Sequence, residues 1–197
     1  MILKNLLTVL VLSYLLSSLS TAADNIIIKY EPPAAPTQVY VSVYIIDILK
    51  IEGAEQAFTG DLTLLMSWRD PRLAHDNDRA QILPLQQVWN PQILIANSRN
   101  TKISLPETVE VLADGTVNYR QRLTGTFTSH FDLHRFPNDQ QTLIVDFVAR
   151  GYRTNTVRLL HDDSWTGRAE RLTISDWAVG DVRLIEAPTP SLAWTLP

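Results

Sequence analysis

From Val39 onward, apolar and polar positions alternate with a period of two. Val39, Val41, Val43 and Ile45 share one face and Tyr40, Ser42 and Tyr44 the other, the pattern of a strand with one side buried. The run continues to Ile51, long for an ordinary strand, so a bend or bulge is expected near Asp47. A turn at Glu52-Gly53 leads to a second strand over 58–68. There Leu62, Leu64 and Met66 face one way, and Thr63, Leu65 and Ser67 the other. Asp70-Pro71-Arg72 breaks this strand and a polar loop follows. Residues 88–96 read as a loop around Trp89 and Pro91 and then a short strand, and the only helix expected is a short one, in the lead-in region or near 83–88.

The sharpest local signal is Asp114-Gly115 between two β-prone arms, the composition of a tight hairpin turn. Its second arm runs to Thr128. Further strands are expected over 142–148, 157–160 and 174–184. Helical periodicity is scarce and no repeat or linker divides the chain. Roughly nine to ten strands with closely spaced turns predict an all-β, immunoglobulin-like β-sandwich in a single domain.

The first residues differ from the rest. Lys4 precedes an apolar stretch from Leu6 to Leu16, and small residues follow as Ser20-Thr21-Ala22-Ala23. This is the composition of a signal peptide over residues 1–23, with the mature domain at 24–197, exported to the periplasmic or extracellular face of the membrane. A membrane anchor is the alternative reading, against which the run is short for a span of roughly 20 residues. Pro32, Pro33 and Pro36 keep the lead-in extended. With no cysteine, the chain has no disulfide framework and no thiolate chemistry. A formal net charge of -4 and scattered arginines argue against a nucleic-acid partner.

Three ordered motifs then carry a resemblance. They are Trp68-Arg69-Asp70-Pro71, Trp89-Asn90-Pro91, and Phe136-Pro137-Asn138-Asp139-Gln140-Gln141, with the Asp-Gly hairpin between the second and third. Together they resemble the extracellular domain of Cys-loop receptors, which are pentameric ligand-gated ion channels. The cysteine-free prokaryotic branch, with its proton-gated cyanobacterial member, is the most similar. What the resemblance implies is a ligand-sensing domain, in a homopentamer, that couples a small-molecule agonist or protons to pore gating. Trp68, Asp70, Trp89 and Pro91 are its structural residues: the tryptophans as core aromatics, Asp70 as a turn cap.

The third motif lies in the loop that a disulfide closes in the animal receptors, at positions matching Ser129 and Leu143 here. A loop of that size forgoes about 3 kcal/mol of closure restraint without the bond, so something else must order it. The resemblance implies that Phe136, Pro137 (as a cis proline) and Asp139 press on a membrane domain; the plainer reading of Asp139 is a loop cap. It also implies a pocket between subunits. Ala96, Asn97, Arg150 and Tyr152 fall on one face, and Thr63 and Leu65 on the neighbour's. Ala96 and Arg150 replace aromatics, which disfavours capture of a quaternary amine and makes Arg150 suited to a carboxylate; Tyr152 is the aromatic left to stack, and an ion-paired surface role for Arg150 stays open. For proton sensing, Asp47, Glu52, Glu55 and the four histidines titrate, whereas Gln56, where the proton-gated relative has Glu, does not.

Other functions are weaker. His130 and His134 lack a third metal ligand, so neither a metal nor a cofactor is expected. His161-Asp162-Asp163-Ser164 lacks the glycines and elbow of a hydrolase and reads as a turn. The rival is a secreted binding protein of the same fold with no channel. Residues 191–197 read as too short for a returning last strand, so the sandwich is expected to lack that strand and the chain its transmembrane domain.

Overall fold

The computed structural model describes residues 30–132, 134, 140–186 and 191–196. In chain order the strands are β1 (Thr37–Glu52), β2 (Ala57–Arg69), β3 (Gln81–Pro84), β4 (Ile93–Ile95), β5 (Ser98–Ile103) and β6 (Thr108–Val111). After them come β7 (Thr116–Thr128), β8 (Leu143–Ala149), β9 (Val157–His161), β10 (Gly167–Arg168), β11 (Arg183–Glu186) and β12 (Ser191–Leu196). The larger sheet has the order β10-β1-β2-β7-β6-β3, with β5 also on β7 and β9 also on β1. The smaller sheet has the order β11-β12-β8-β4. The expected all-β sandwich is therefore the observed architecture.

Alternation builds the core. Val39, Val41, Val43 and Ile45 of β1, Leu62 to Trp68 at every second position of β2, and Val117, Leu123 and Phe127 of β7 are buried, facing Leu143, Val145, Phe147 and Ala149 of β8. The β1–β2 ladder shifts register between Ile45 and Asp47 and again between Ile48 and Lys50, which is the bulge expected near Asp47. The β2–β7 ladder is unbroken from Ala57↔Thr128 to Arg69↔Thr116. At the Asp114-Gly115 hairpin, Gly115 donates its N–H to the Leu112 carbonyl at 2.9 Å and takes φ +82°. A side-chain carbon there would stand 2.4 Å from the Asp70 carbonyl oxygen, so only glycine fits the turn.

Three expectations need correction. The missing last strand is present: β12 pairs antiparallel with β8 on one side and β11 on the other. Six residues suffice because a central strand is stabilised along both edges. The strand expected over 174–184 is confined to β11. Before it, Leu172, Ile174, Val179 and Val182 pack on the core while side chains hold the backbone. Thr173 donates its N–H to Asp47 Oδ1 at 2.6 Å, and Arg168 Nε donates to the Gly180 carbonyl at 2.7 Å. Finally, β3 and β5 are strands that periodicity did not indicate. The short helix expected near 83–88 is a 3-10 turn at Leu85–Gln87. The signal peptide expectation concerns residues outside those described.

Candidate functional site

Ala96, Asn97, Arg150 and Tyr152 gather on the smaller sheet. β4 pairs with β8 as Ile93↔Ala149 and Ile95↔Phe147. Just beyond, the Ala96 N–H donates to the Asp146 carbonyl at 2.7 Å and the Arg150 N–H to the Gln92 carbonyl at 3.1 Å. Ala96 and Arg150 thus flank one strand pair, and both are exposed. Asn97 is spent on the fold: its Nδ2 donates to the Thr128 and Ile144 carbonyls, each at 2.7 Å, and its Oδ1 accepts from the Asp146 N–H at 3.0 Å. That amide stitches β7 to β8 across the two sheets. Tyr152 is half-buried. Its hydroxyl oxygen accepts from Trp89 Nε1 at 3.0 Å, with the ring centroids 5.9 Å apart.

Thr63 and Leu65 lie elsewhere, on the outward face of β2 in the larger sheet. Thr63 is opposite Tyr44 and Arg122, and the Arg122 guanidinium is held by Asp61, with Nε 3.0 Å from Oδ1. Leu65 is opposite Ser42 and Arg120 and forms part of an open groove of about 600 Å³, whose walls include Tyr40, Ser67, Asn118, Arg120 and Trp165. Trp165 stands out 63% exposed on the 3-10 turn Asp163–Trp165. Asp162 caps that turn, and its hydrogen bonds from Ser164 hold its carboxyl below the usual range. The His161–Ser164 stretch is therefore the expected turn. One protomer does not bring the two sets of candidate ligand residues together.

The structural residues are all buried. Trp68 and Trp89 meet edge to face at 5.9 Å, 2% and 1% exposed, and Pro91 is buried beside them. Asp70 is fully buried and caps the 3-10 turn Pro71–Leu73 by accepting from the Arg72 N–H at 3.1 Å. It also takes Arg72 Nε and Nη2, each at 2.8 Å, and this pairing raises the arginine above its ordinary value.

Phe136, Pro137 and Asp139 lie outside the described residues, as does the expected cis peptide at Pro137. The two ends of their loop are described, and they show what stands where a disulfide might. Ser129 Oγ donates to the Thr142 carbonyl at 2.6 Å. Gln141 brackets Asp132, accepting from its N–H at 3.0 Å and donating to its carbonyl at 2.7 Å. Gln56, at φ +49°, brackets Phe131 likewise: Oε1 accepts from the N–H at 2.6 Å and Nε2 lies 3.4 Å from the carbonyl. Its backbone carbonyl accepts from the Ser129 N–H at 2.9 Å. Phe131 is buried and anchors this end of the loop in the core.

Several working residues escaped the sequence reading. Gln121 is 1% exposed on the core face of β7, where it donates to the Leu105 carbonyl and accepts from the Leu105 N–H. Its inward position between Tyr119 and Leu123 was the available signal. Arg120 and Trp165 carried none, since an arginine or tryptophan on a strand or turn looks like surface. Asp146, part-buried on β8, has its carboxyl raised by desolvation.

The pattern of the neurotransmitter-gated ion-channel ligand binding domain matches residues 13–186. The chain is 27% identical over 163 residues to a proton-gated ion channel of Gloeobacter violaceus, covering 80% of this chain and 45% of the relative. It is 30% identical over 138 residues to the theta subunit of the mouse gamma-aminobutyric acid receptor, covering 66% and 22%. It is 29% identical over 144 residues to an acetylcholine-gated chloride channel subunit of Caenorhabditis elegans, covering 66% and 30%. The chain thus spans less than half the length of these relatives.

Proposed function

The chain belongs to the neurotransmitter-gated ion-channel ligand binding domain family, and from that premise we propose that it is the exported sensor domain of a homopentameric ligand-gated channel. Ligand binding between copies biases a pore formed by sequence beyond these residues. The observation that carries this reading is the split site. Thr63 and Leu65 face outward from one sheet while Ala96 and Arg150 lie exposed on the other, so a ligand touching both sets needs two protomers. By name the relatives are a proton-gated channel, a gamma-aminobutyric acid receptor subunit and an acetylcholine-gated chloride channel subunit. Here a carboxylate is the favoured ligand, because Arg150 and Arg120 are exposed and neither makes an ion pair among the described residues. The loop with Phe136, Pro137 and Asp139 passes the signal to the membrane, and residues 1–23 direct export.

One observation favours a second reading, a secreted binding protein without a pore. β12 pairs along both edges, so the smaller sheet does not leave β8 or β11 bare on that side. Fusing this domain to the pore of a related channel and recording current against pH, succinate and choline separates the readings. The channel reading expects a succinate response whose half-maximal concentration rises about tenfold or more in Arg150→Ala. A silent fusion that still reaches the membrane as a pentamer would favour the binding protein, and a choline response untouched by Arg150→Ala would exclude the carboxylate site.

A further inference from the structure

We infer that Tyr152 is a positioning residue: it pins the loop carrying Arg150 to the core through the indole of Trp89, and does not itself meet a ligand. Trp89 is 1% exposed, and a buried N–H without an acceptor is costly. The acceptor it finds at 3.0 Å is the Tyr152 phenol oxygen. The neighbouring Trp68 shows the contrast, since its Nε1 is buried and makes no hydrogen bond among the described residues. Two packed tryptophans therefore differ in what their N–H groups hold, and Trp89 is the one that reaches a loop.

That loop has few other ties. After β8 the chain reverses at Gly151, φ +80°, where no atom outside its chain neighbours lies within 4 Å of where a side-chain carbon would sit. The Tyr152 N–H reaches the Ala149 carbonyl only at 3.5 Å, and the Arg150 N–H is held by Gln92, itself in the left-handed region at φ +48°. Firm local bonds resume at Arg153, whose carbonyl accepts from Thr156 and Val157 at 2.8 and 2.9 Å. Between these points the phenol–indole bond and the ring contact at 66° are the main restraint on residues 150–152. With its oxygen on Trp89 and its ring against that indole, Tyr152 faces inward, and Arg150 two residues earlier is left exposed. The functional meaning rests on the reading of Arg150 as the ligand-facing residue; the pin itself does not.

Amide hydrogen exchange and the indole N–H resonances of the full chain test the pin. In Tyr152→Phe the Trp89 indole resonance, assigned through Trp89→Phe, is expected to shift. The amides of residues 150–152 are expected to exchange roughly five- to tenfold faster. The urea midpoint falls modestly because the indole N–H is stranded, while core amides of β2 and β7 accelerate far less than those of residues 150–152. Trp89→Phe removes the donor from the other side and is expected to loosen the same three amides. An unchanged indole resonance, an unchanged loop exchange rate, or a parallel acceleration of the core amides would each overturn the inference. Arg150→Ala is expected to leave indole and loop exchange as in wild type. A lost ligand response in that variant bears on the functional reading alone.

Discussion

The β2–β7 ladder has two ends that are closed in opposite ways. At the Arg69↔Thr116 end the closure is compact: Gly115 lies against the Asp70 carbonyl, Asp70 is fully buried, and its carboxylate holds Arg72 with two charge-assisted bonds. At the Ala57↔Thr128 end the closure is neutral and spread out, through Gln56, Ser129 and Gln141, each bonding to backbone. The first end tolerates no displacement, because backbone already touches backbone. The second depends on side-chain amides that swing on several rotatable bonds. The compliant closure is at the end that carries the loop with Phe136, Pro137 and Asp139.

The largest effect that sharpens this contrast is at the compact end. Gly115→Val forces a side chain into the Asp70 backbone at a left-handed φ, and is expected to cost about 3 kcal/mol or more. A drop in the urea midpoint reads it, and a loss under about 1 kcal/mol would mean that this end also yields. At the compliant end, Gln56→Ala and Gln141→Ala are each expected to cost about 1 kcal/mol. They should speed proteolytic cutting within residues 129–142 far more than they lower the midpoint. Since the two glutamines bracket adjacent residues, Phe131 and Asp132, the double variant should depart from additivity. Additive costs with no change in cutting would break the idea of a shared clasp.

The smallest effect lies in the other sheet, at Asp146 on β8. Burial raises its carboxyl in the folded state, so folding favours the protonated form. The cost is absent below the ordinary carboxylate range and grows as pH rises through the raised folded value. Asp146→Asn is therefore expected to stabilise by under about 1 kcal/mol at neutral pH, with the gain vanishing near about pH 3. Paired urea melts at the two pH values check the sign.

What the sequence made legible was whatever depended on neighbours in the chain. The alternation of Val39 to Ile45, the bulge at Asp47, the Asp114-Gly115 hairpin and the cap at Asp70 all arise from local patterning or turn chemistry. β5 was hidden because Ser98, Arg99, Asn100, Thr101 and Lys102 present no apolar face; it is a strand because β7 offers an edge. β3 ends in Pro84, which argues against a strand until its edge position is known. Residues 174–182 showed apolar spacing that was real burial without a ladder. At the candidate site, the resemblance put Arg150 and Leu65 in a pocket between subunits, but it could not tell that the amide of Asn97 and the hydroxyl of Tyr152 were already committed. Those bonds join residues 31 and 63 positions apart, and only the fold brings them together.

The outer edge of β1 has a consequence for biogenesis. Its partners β9 and β10 pair in parallel, and the contact of Ser42 Oγ with the Asp162 carbonyl spans 120 residues. A chain emerging N-terminus first can therefore zip β1 to β2 early, but must leave the other flank of this 16-residue strand bare until most of the domain has been made. During that interval an apolar, hydrogen-bond-hungry edge is open to any other nascent chain. A holding chaperone, or slow synthesis timed to residues 157–168, would matter most for yield there.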